Sequence, residues 1–384
     1  MKQIRRIGAL LAAGVLALAA GCSSGTDFSV LGGKQGPITS DPKLTATTTR
    51  ATEAKDDTTT TTRRETAPVR TTRPTQPVTA SGLQYEIVNG HAAIVRYKGS
   101  SETVTIPSTL GGYAVTEIEP DAFADRKRVM EVTVPSGVKV IGDRAFCNCS
   151  SLRSIALPNG LTTLGQDVFG LCARLTSVTL PDAMSEIPAG TFADCKALKK
   201  IDFPSELEAI GEGAFRNCSS LADPVFPSGL NRIGTEAFTG CHSIVSLTLP
   251  DMLHTVGDGA FSDCRGLKRA QLPNRMTVVP SRMFEYCAAL KAISIPERVA
   301  EIGDSAFSSC TGMTSVSLPA SLTRIGSAAF SGCRVLQRVR IPDKVTDIGA
   351  DAFSDCHQWL TLVAKEGSAA QKFAKEYSLR FEAQ

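Results

Sequence analysis

A period of 23 residues constrains this chain more than any other feature of its sequence. Phenylalanine recurs at that interval eleven times without an insertion or a deletion, and a fixed period is the sequence signature of repeat architectures. We number the repeats, or coils, 1 to 11 by these phenylalanines and count positions within a coil from its Phe, which is position 0. They are Phe123, Phe146, Phe169, Phe192, Phe215, Phe238, Phe261, Phe284, Phe307, Phe330 and Phe353.

Cysteine follows the same period. Ten of the twelve cysteines stand at position +3, and coil 1 carries Arg126 there instead. Cys22 and Cys147 lie outside this cysteine column. The column consists of Cys149, Cys172, Cys195, Cys218, Cys241, Cys264, Cys287, Cys310, Cys333 and Cys356.

Apolar side chains define the rest of the coil, at positions −8, −5, 0, +3, +6, +9 and +11. Only +9 and +11 show the period of two that is typical of a strand. In ten coils a proline at +12 ends that segment, and glycine at −4 in eight coils interrupts any longer helix. The pattern predicts one strand per coil, a tight back side of turns or short 3₁₀ pieces, and inward-pointing apolar side chains.

A single coil of this length cannot enclose a core, so the coils must stack, with equivalent side chains about 4.8 Å apart. The unit AFxxCxxLxxIxIPxxVxxIG, which fits residues 101–364, resembles the leucine-rich repeats of the BspA-like class. That resemblance implies a β-rich leucine-rich repeat solenoid of the α/β horseshoe superfold, with eleven coils on one parallel sheet. It also implies a right-handed, curved solenoid on a bacterial surface, in a family linked to attachment and protein binding.

Both ends of the repeat region carry sequences that are typical of caps. LQYEIVNGHAAIVRY reads as two strands joined at Asn89 and Gly90, which is a strong hairpin pattern. GSAAQKFAKEYSLRFEAQ reads as a short helix followed by a terminal strand. We expect an N-terminal hairpin cap at 81–106, the repeat domain at 107–364 and a C-terminal cap at 365–384.

Residues 1–22 have the pattern of an export signal. Three basic residues precede an apolar run from Ile7 to Ala20, which is shorter than the roughly 20 residues that cross a bilayer as a helix. LAAGC resembles the lipobox of bacterial lipoproteins, although Ala19 stands where a larger aliphatic residue is usual. The resemblance implies lipidation of Cys22 and anchoring to the outer face of a bacterial membrane. An ordinary secretory signal that contains a cysteine remains the alternative.

Residues 23–80 are predicted to be a disordered, threonine-rich stalk. Fifteen threonines stand among the 35 residues from Thr45 to Thr79, and large apolar side chains are too few to form a core. Residues 1–80 also hold 11 of the 41 basic residues and 6 of the 38 acidic ones, which leaves 30 basic and 32 acidic residues in 81–384. Because nucleic acids select basic domains, we do not expect a nucleic-acid partner.

The cysteine column is predicted to consist of reduced structural thiols. Inward-pointing thiols act as small apolar fillers, but export permits oxidation, so some disulfides remain an alternative. Cys147, one residue after Phe146, is the strongest candidate for an exposed thiol, although a partly covered, inert cysteine is the more common outcome at such a position. No second cysteine cluster or catalytic motif accompanies the repeat, so we expect no metal, no cofactor and no catalytic residues.

The outward positions +7, +8 and +10 of the predicted strands form the candidate binding surface. Most are Ser, Thr or Ala, with acidic residues mainly toward the N-terminal half. Pro224 replaces the inward residue at +9 in coil 5, which predicts a local break in the sheet. The basic residues can be interpreted either as a patch for an acidic partner or as ordinary solvated side chains. The candidate partner-binding residues are Arg153, Lys199, Lys200, Lys268, Arg269, Lys291, Arg338 and Arg340.

Three functions follow from these observations. The leading one is a lipid-anchored cell-surface protein whose solenoid binds a protein or glycan on a cell surface or matrix. The second is a structural envelope or spacer protein without a specific ligand. The third, an enzyme with a site on the sheet face, lacks convergent acid and base groups.

Overall fold

The computed structural model describes residues 78–384. The expected signal segment with Cys22 lies outside the described residues, as does nearly all of the expected stalk. Within the described part, parallel strands recur every 23 residues and stack into a solenoid. The predicted fold class is therefore confirmed.

The N-terminal hairpin forms as the Asn-Gly pair predicts. Strands β1 (Leu83–Val88) and β2 (His91–Tyr97) are antiparallel, and Asn89 and Gly90 both have a positive φ, of 51° and 82°. Positive φ at both central residues is what a two-residue hairpin turn requires. The next strands are β3 (Thr103–Thr105), β4 (Thr109–Leu110) and β5 (Tyr113–Ile118), and β2 pairs in parallel with β5.

The predicted strand at +8 to +10 is present in nine of the eleven coils and, together with β3, forms what we call sheet A. In most of these strands the outer residues are exposed and the middle one is buried, as in Ser154, Ile155 and Ala156. The inward direction of +9 is thereby confirmed. The strands are β6 (Glu131–Thr133), β8 (Ser154–Ala156), β10 (Ser177–Thr179), β14 (Ser246–Thr248), β16 (Arg269–Gln271), β18 (Ala292–Ser294), β20 (Ser315–Ser317), β22 (Arg338–Arg340) and β24 (Thr361–Ala364).

Each coil from coil 2 onward adds a second, two-residue strand at −6 and −5, which the repeat pattern did not predict. These strands form what we call sheet B, on the side where only turns were expected. They are β7 (Val140–Ile141), β9 (Thr163–Leu164), β11 (Glu186–Ile187), β12 (Ala209–Ile210), β13 (Arg232–Ile233), β15 (Thr255–Val256), β17 (Val278–Val279), β19 (Glu301–Ile302), β21 (Arg324–Ile325) and β23 (Asp347–Ile348).

Two prolines explain where sheet B is interrupted. In the coils with glycine at −4, its N–H donates to the −5 carbonyl of the preceding coil, as from Gly165 to Ile141 at 2.8 Å. Coils 4 and 8 have Pro188 and Pro280 at this position, and proline has no N–H to donate. Sheet B accordingly breaks between β9 and β11 and again between β15 and β17.

The phenylalanines form one continuous aromatic column through the core. Consecutive rings from Phe123 to Phe353 are stacked, with centroids 5.0 to 6.0 Å apart. Tyr97 of β2 stacks on the first ring at 5.3 Å, and Phe373 contacts the last ring edge-on at 6.1 Å. Each such pair adds about 0.5–1.5 kcal/mol beyond the area that it buries, so the caps extend the stabilisation of the column at both ends.

The C-terminal cap is the predicted helix and strand. Helix α1 (Ala369–Glu376) begins after Ser368, whose hydroxyl accepts the N–H of Gln371. Strand β25 (Arg380–Ala383) then pairs in parallel with β24 and closes sheet A. Within residues 78–384, no helix has the length and apolar character of a membrane span.

Candidate functional site

All eight basic candidate residues have exposed side chains on the side of the solenoid that sheet A forms. Arg269, Arg338 and Arg340 lie on strands, where the inward direction of +9 fixes +8 and +10 as outward positions. The other five lie just before a strand or in coil 4, which has none on this side. These residues therefore form an exposed face, but some of the charged side chains on it are already paired within the protein.

Two of the eight are held in ion pairs. Lys200 lies 2.7 Å from Asp202 in the same coil. Arg338 donates two hydrogen bonds to the carboxylate of Glu382 in β25, at 2.5 and 2.7 Å. This contact lowers the pKa of Glu382 and ties the C-terminal cap to the last strands. Arg338 thus has a structural role in the cap, which the sequence analysis missed.

The other six basic residues have no ion-pair partner among residues 78–384. Three of them come together in coils 7 and 8. Lys268 and Lys291 occupy position +7 in consecutive coils, and Arg269 follows Lys268 in the chain. We call Lys268, Arg269 and Lys291 the basic cluster. Arg153, Lys199 and Arg340 stand in other coils, so the structure does not join all the candidates into one patch.

Sheet A is interrupted at coils 4 and 5, where the described chain has no strand between β10 and β14. The break that Pro224 predicts in coil 5 is confirmed, and it extends one coil further than predicted. The carboxylate of Asp223 accepts the N–H groups of Val245 and Ser246 at 2.6 and 3.0 Å. This side chain therefore satisfies donors at the edge of the next sheet segment, and Val225 beside it is 83% exposed.

The column cysteines are unbridged. Each thiol donates to the carbonyl of the Phe one coil earlier, at 3.1 to 3.4 Å. Burial raises the pKa of Cys264 and Cys310 to about 12 and raises the pKa of the other column thiols as well. Because the thiolate is the reactive form, burial disfavours nucleophilic attack by these thiols.

Of the two interpretations of Cys147, the exposed thiol is wrong and the covered cysteine is confirmed. Cys147 is only 3% exposed, whereas Cys356 is partly exposed. Position +1 lies between stacked turns, since the Asp125 N–H donates to the Cys147 carbonyl and the Asn148 N–H donates to Gly170. The adjoining coils therefore contribute to its burial.

No group of three or more His, Cys, Asp or Glu side chains among residues 78–384 is placed to hold a metal ion. His242 lies 3.1 Å from Asp263, and both side chains are partly exposed on the turn side. Such a pair alone defines no reaction.

The repeating coils, the inward columns and the exposed sheet face together define a leucine-rich repeat solenoid. The sequence matches the family model described as BspA type leucine rich repeat region, in six copies, over residues 116–245 and 231–359. These ranges make up more than half of the chain, which therefore belongs to that family. No curated protein sequence matches the chain.

Two solved structures share the fold. A leucine rich cell surface protein from Faecalibacterium prausnitzii A2-165 is 24% identical, with a TM-score of 0.55 over 83% of this chain and 96% of that one. A leucine-rich repeat protein from Bacteroides ovatus ATCC 8483 is 25% identical, with a TM-score of 0.52 over 79% of this chain and 98% of that one.

Proposed function

We propose that the protein is a lipid-anchored cell-surface protein that binds an acidic protein or glycan through sheet A, and that it is not an enzyme. The basic cluster is the observation that carries the proposal. Lys268 and Lys291 stand at the same position of consecutive coils without a neutralising partner in the described chain. Like charges in adjacent coils repel each other, and an acidic partner offsets that repulsion.

The composition of the surrounding face supports a binding role. Small polar residues such as Ser246, Thr248 and Ser294 flank the cluster on neighbouring strands, so a partner can approach the charges without steric obstruction. Complementary charge speeds association and selects partners. The repeat geometry also fixes the spacing of the charges, which preorganises the face.

Salt elution from two anionic matrices tests whether the basic cluster mediates binding. We expect the full-length protein to bind heparin agarose or immobilised polyglutamate, and K268E/R269E/K291E to elute at markedly lower salt. The matched control is R298E/R334E/K344E, which reverses three exposed charges on turns outside sheet A. Preference for heparin indicates a glycan partner, and preference for polyglutamate indicates a protein. Equal elution of the two variants contradicts the proposal and favours the spacer function.

The anchor is tested separately. Cys22→Ser removes the thiol that would receive the lipid, so the variant is expected to leave the membrane fraction or to remain unprocessed, and to lose labelling by a fatty-acid analogue. Two acyl chains hold a protein firmly on a bilayer, whereas the polypeptide alone does not. A wild-type protein that is secreted without lipid supports the ordinary signal peptide instead.

A further inference from the structure

A cleft of about 200 Å³ opens on sheet A where coils 4 and 5 lack strands. Its apolar lining includes Ile201, Leu221, Phe203 and Pro224, and Lys199, Lys200, Asp202 and Asp223 are among its polar neighbours. An apolar centre with a polar rim is the anatomy of a protein-binding hot spot.

Part of the backbone around this cleft has no hydrogen-bond partner among residues 78–384. Full three-residue pairing joins coils 2 and 3, 6 and 7, 8 and 9, and 10 and 11. Coils 7 and 8, and coils 9 and 10, keep their strands without pairing them, whereas coils 4 and 5 have no strand on this side at all. The N–H groups of Ile201, Phe203 and Val225 donate no hydrogen bond to residues 78–384. The carbonyls of Ile201, Asp223 and Val225 accept none from the same residues. Backbone groups in folded proteins normally have partners, so these are available to a ligand or to water.

Two features of the sequence keep the cleft from closing. Pro224 has no N–H, fixes its own φ and restricts the residue before it. Phe203 and Phe226, at +11 of coils 4 and 5, replace the smaller side chains found there in the other coils. The two rings stack at 5.5 Å and pack edge-on against Phe215 and Phe238 of the aromatic column. The floor of the cleft is therefore anchored in the core.

The size of the cleft limits which group can occupy it. It is smaller than the 300–1,000 Å³ of typical sites for drug-sized ligands, whereas an apolar cavity of about 150 Å³ accommodates one benzene ring. The 5.5 Å between the Phe203 and Phe226 rings leaves no space for an inserted strand, because paired strands lie about 4.8 Å apart on each side. A single aromatic side chain fits these limits.

We propose that this cleft receives a tyrosine or tryptophan side chain from a protein partner, with the ring on the apolar floor and its polar group bonded to the unsatisfied backbone. Tyr and Trp combine a large apolar body with a hydrogen-bonding tip and are enriched at interface hot spots. The proposal rests on the proposed role of sheet A as a binding face, and it names a protein partner's anchor residue.

Another hollow on the same sheet serves as an internal comparison. It lies over β6, β8 and β10 and is lined by residues including Thr133, Ala156 and Thr179. The strands beneath it are paired to one another, so the backbone groups that join them are already engaged. We therefore expect no preference there for an aromatic group with a polar tip.

NMR titration of the full-length protein tests the proposal with three probes: N-acetyl-tyrosinamide, N-acetyl-phenylalaninamide and N-acetyl-leucinamide. The tyrosine probe is expected to shift the amide resonances of Ile201, Asp202 and Val225 in a saturable way, with a dissociation constant of about 1 mM, as befits a ligand of this size. The phenylalanine probe is expected to bind several-fold more weakly, and the leucine probe more weakly still.

Two variants remove the cleft in different ways. Ala222→Trp fills it, and Pro224→Ile restores a backbone donor together with the aliphatic residue usual at +9. Both are expected to weaken the tyrosine probe at least about tenfold. Thr176→Trp, the same exposed +7 position in coil 3, is the control and is expected to leave binding unchanged. The amide spectrum of each variant verifies its fold.

Shifts confined to other surfaces, or equal binding of the three probes, overturn the cleft assignment. So does unchanged binding in both cleft variants. The salt-elution test on the basic cluster is independent of these substitutions. If the charge-reversal variant elutes at lower salt but no probe binds in the cleft, only this inference is rejected. If both tests fail, the binding function of sheet A is rejected as well.

Discussion

Replacing Gly234 by alanine tests whether close stacking of coils determines the glycine at −4. A Cβ at this position would stand 2.6 Å from the backbone nitrogen of Glu212 and 2.7 Å from the carbonyl carbon of Gly211, both in the preceding coil. These atoms are backbone and cannot rotate away. The coils must then separate locally by about 0.8 Å to reach an ordinary contact of 3.4 Å.

That separation also acts on a hydrogen bond. The Gly234 N–H donates to the Ile210 carbonyl at 2.8 Å, and an increase of this size takes the bond beyond the usual limit of about 3.2 Å. Overpacking costs about 1–3 kcal/mol and a lost hydrogen bond about 1 kcal/mol. Alanine offsets about 0.4–1 kcal/mol of this cost, because it restricts the unfolded chain more than glycine does. We expect Gly234→Ala to lower the free energy of unfolding by about 2 kcal/mol.

Urea unfolding followed by far-ultraviolet circular dichroism measures this difference. Gly229→Ala is the matched control, because Gly229 is exposed, has no atom within 4 Å of an added Cβ and has no positive φ. The control is expected to be neutral or slightly stabilising. If Gly234→Ala is as stable as Gly229→Ala, the steric explanation of the glycine column is refuted.

Three further predictions concern the core columns and the cap. The column thiols should resist a maleimide in the native protein and react after unfolding in guanidinium, since burial keeps them protonated; rapid native labelling of several of them would disprove this. Phe238→Ala should cost about 3–5 kcal/mol in urea unfolding, because its ring stacks on Phe215 and Phe261 at 5.1 and 5.3 Å; a cost below about 1 kcal/mol would show that the aromatic column is not needed. The folded pKa of Glu382 lies below its usual value of 4.5, so the Arg338 ion pair should stabilise the cap above about pH 4.5 and lose this effect as the pH falls toward the folded pKa. Fluorescence of Trp359, the only tryptophan, should report this transition because Arg380 of β25 lies 5.7 Å from its ring, and Glu382→Gln should abolish it.

The repeat period predicts most of the core because one rule applies to every coil. A side chain at position 0, +3 or +9 meets its equivalents above and below, so a single interpretation of Phe146, Cys149 and Ile155 extends to the other coils. The hairpin at Asn89 is also predictable, since its turn residues act locally. Local and repeated interactions are thus readable without a structure.

Departures from the repeat were harder to interpret. Pro188 and Pro280 are visible in the sequence, but the hydrogen bonds that they remove belong to sheet B, which the repeat pattern does not predict. The pairing of Arg338 with Glu382 depends on the position of the cap strand. That strand is not part of the repeat, so the repeat pattern does not predict the pairing. The burial of Cys147 likewise depends on its neighbours in space, which its position within the coil does not give.

Capture of partners from cell-envelope and host-surface extracts tests the central claim most directly. The full-length protein is compared with K268E/R269E/K291E and with the control R298E/R334E/K344E, and bound material is quantified after identical washes. The proposed binding function of sheet A predicts that one defined partner is retained by the wild type and the control and lost from the sheet A variant. Equal retention by all three proteins, or no retention by any of them, would contradict it.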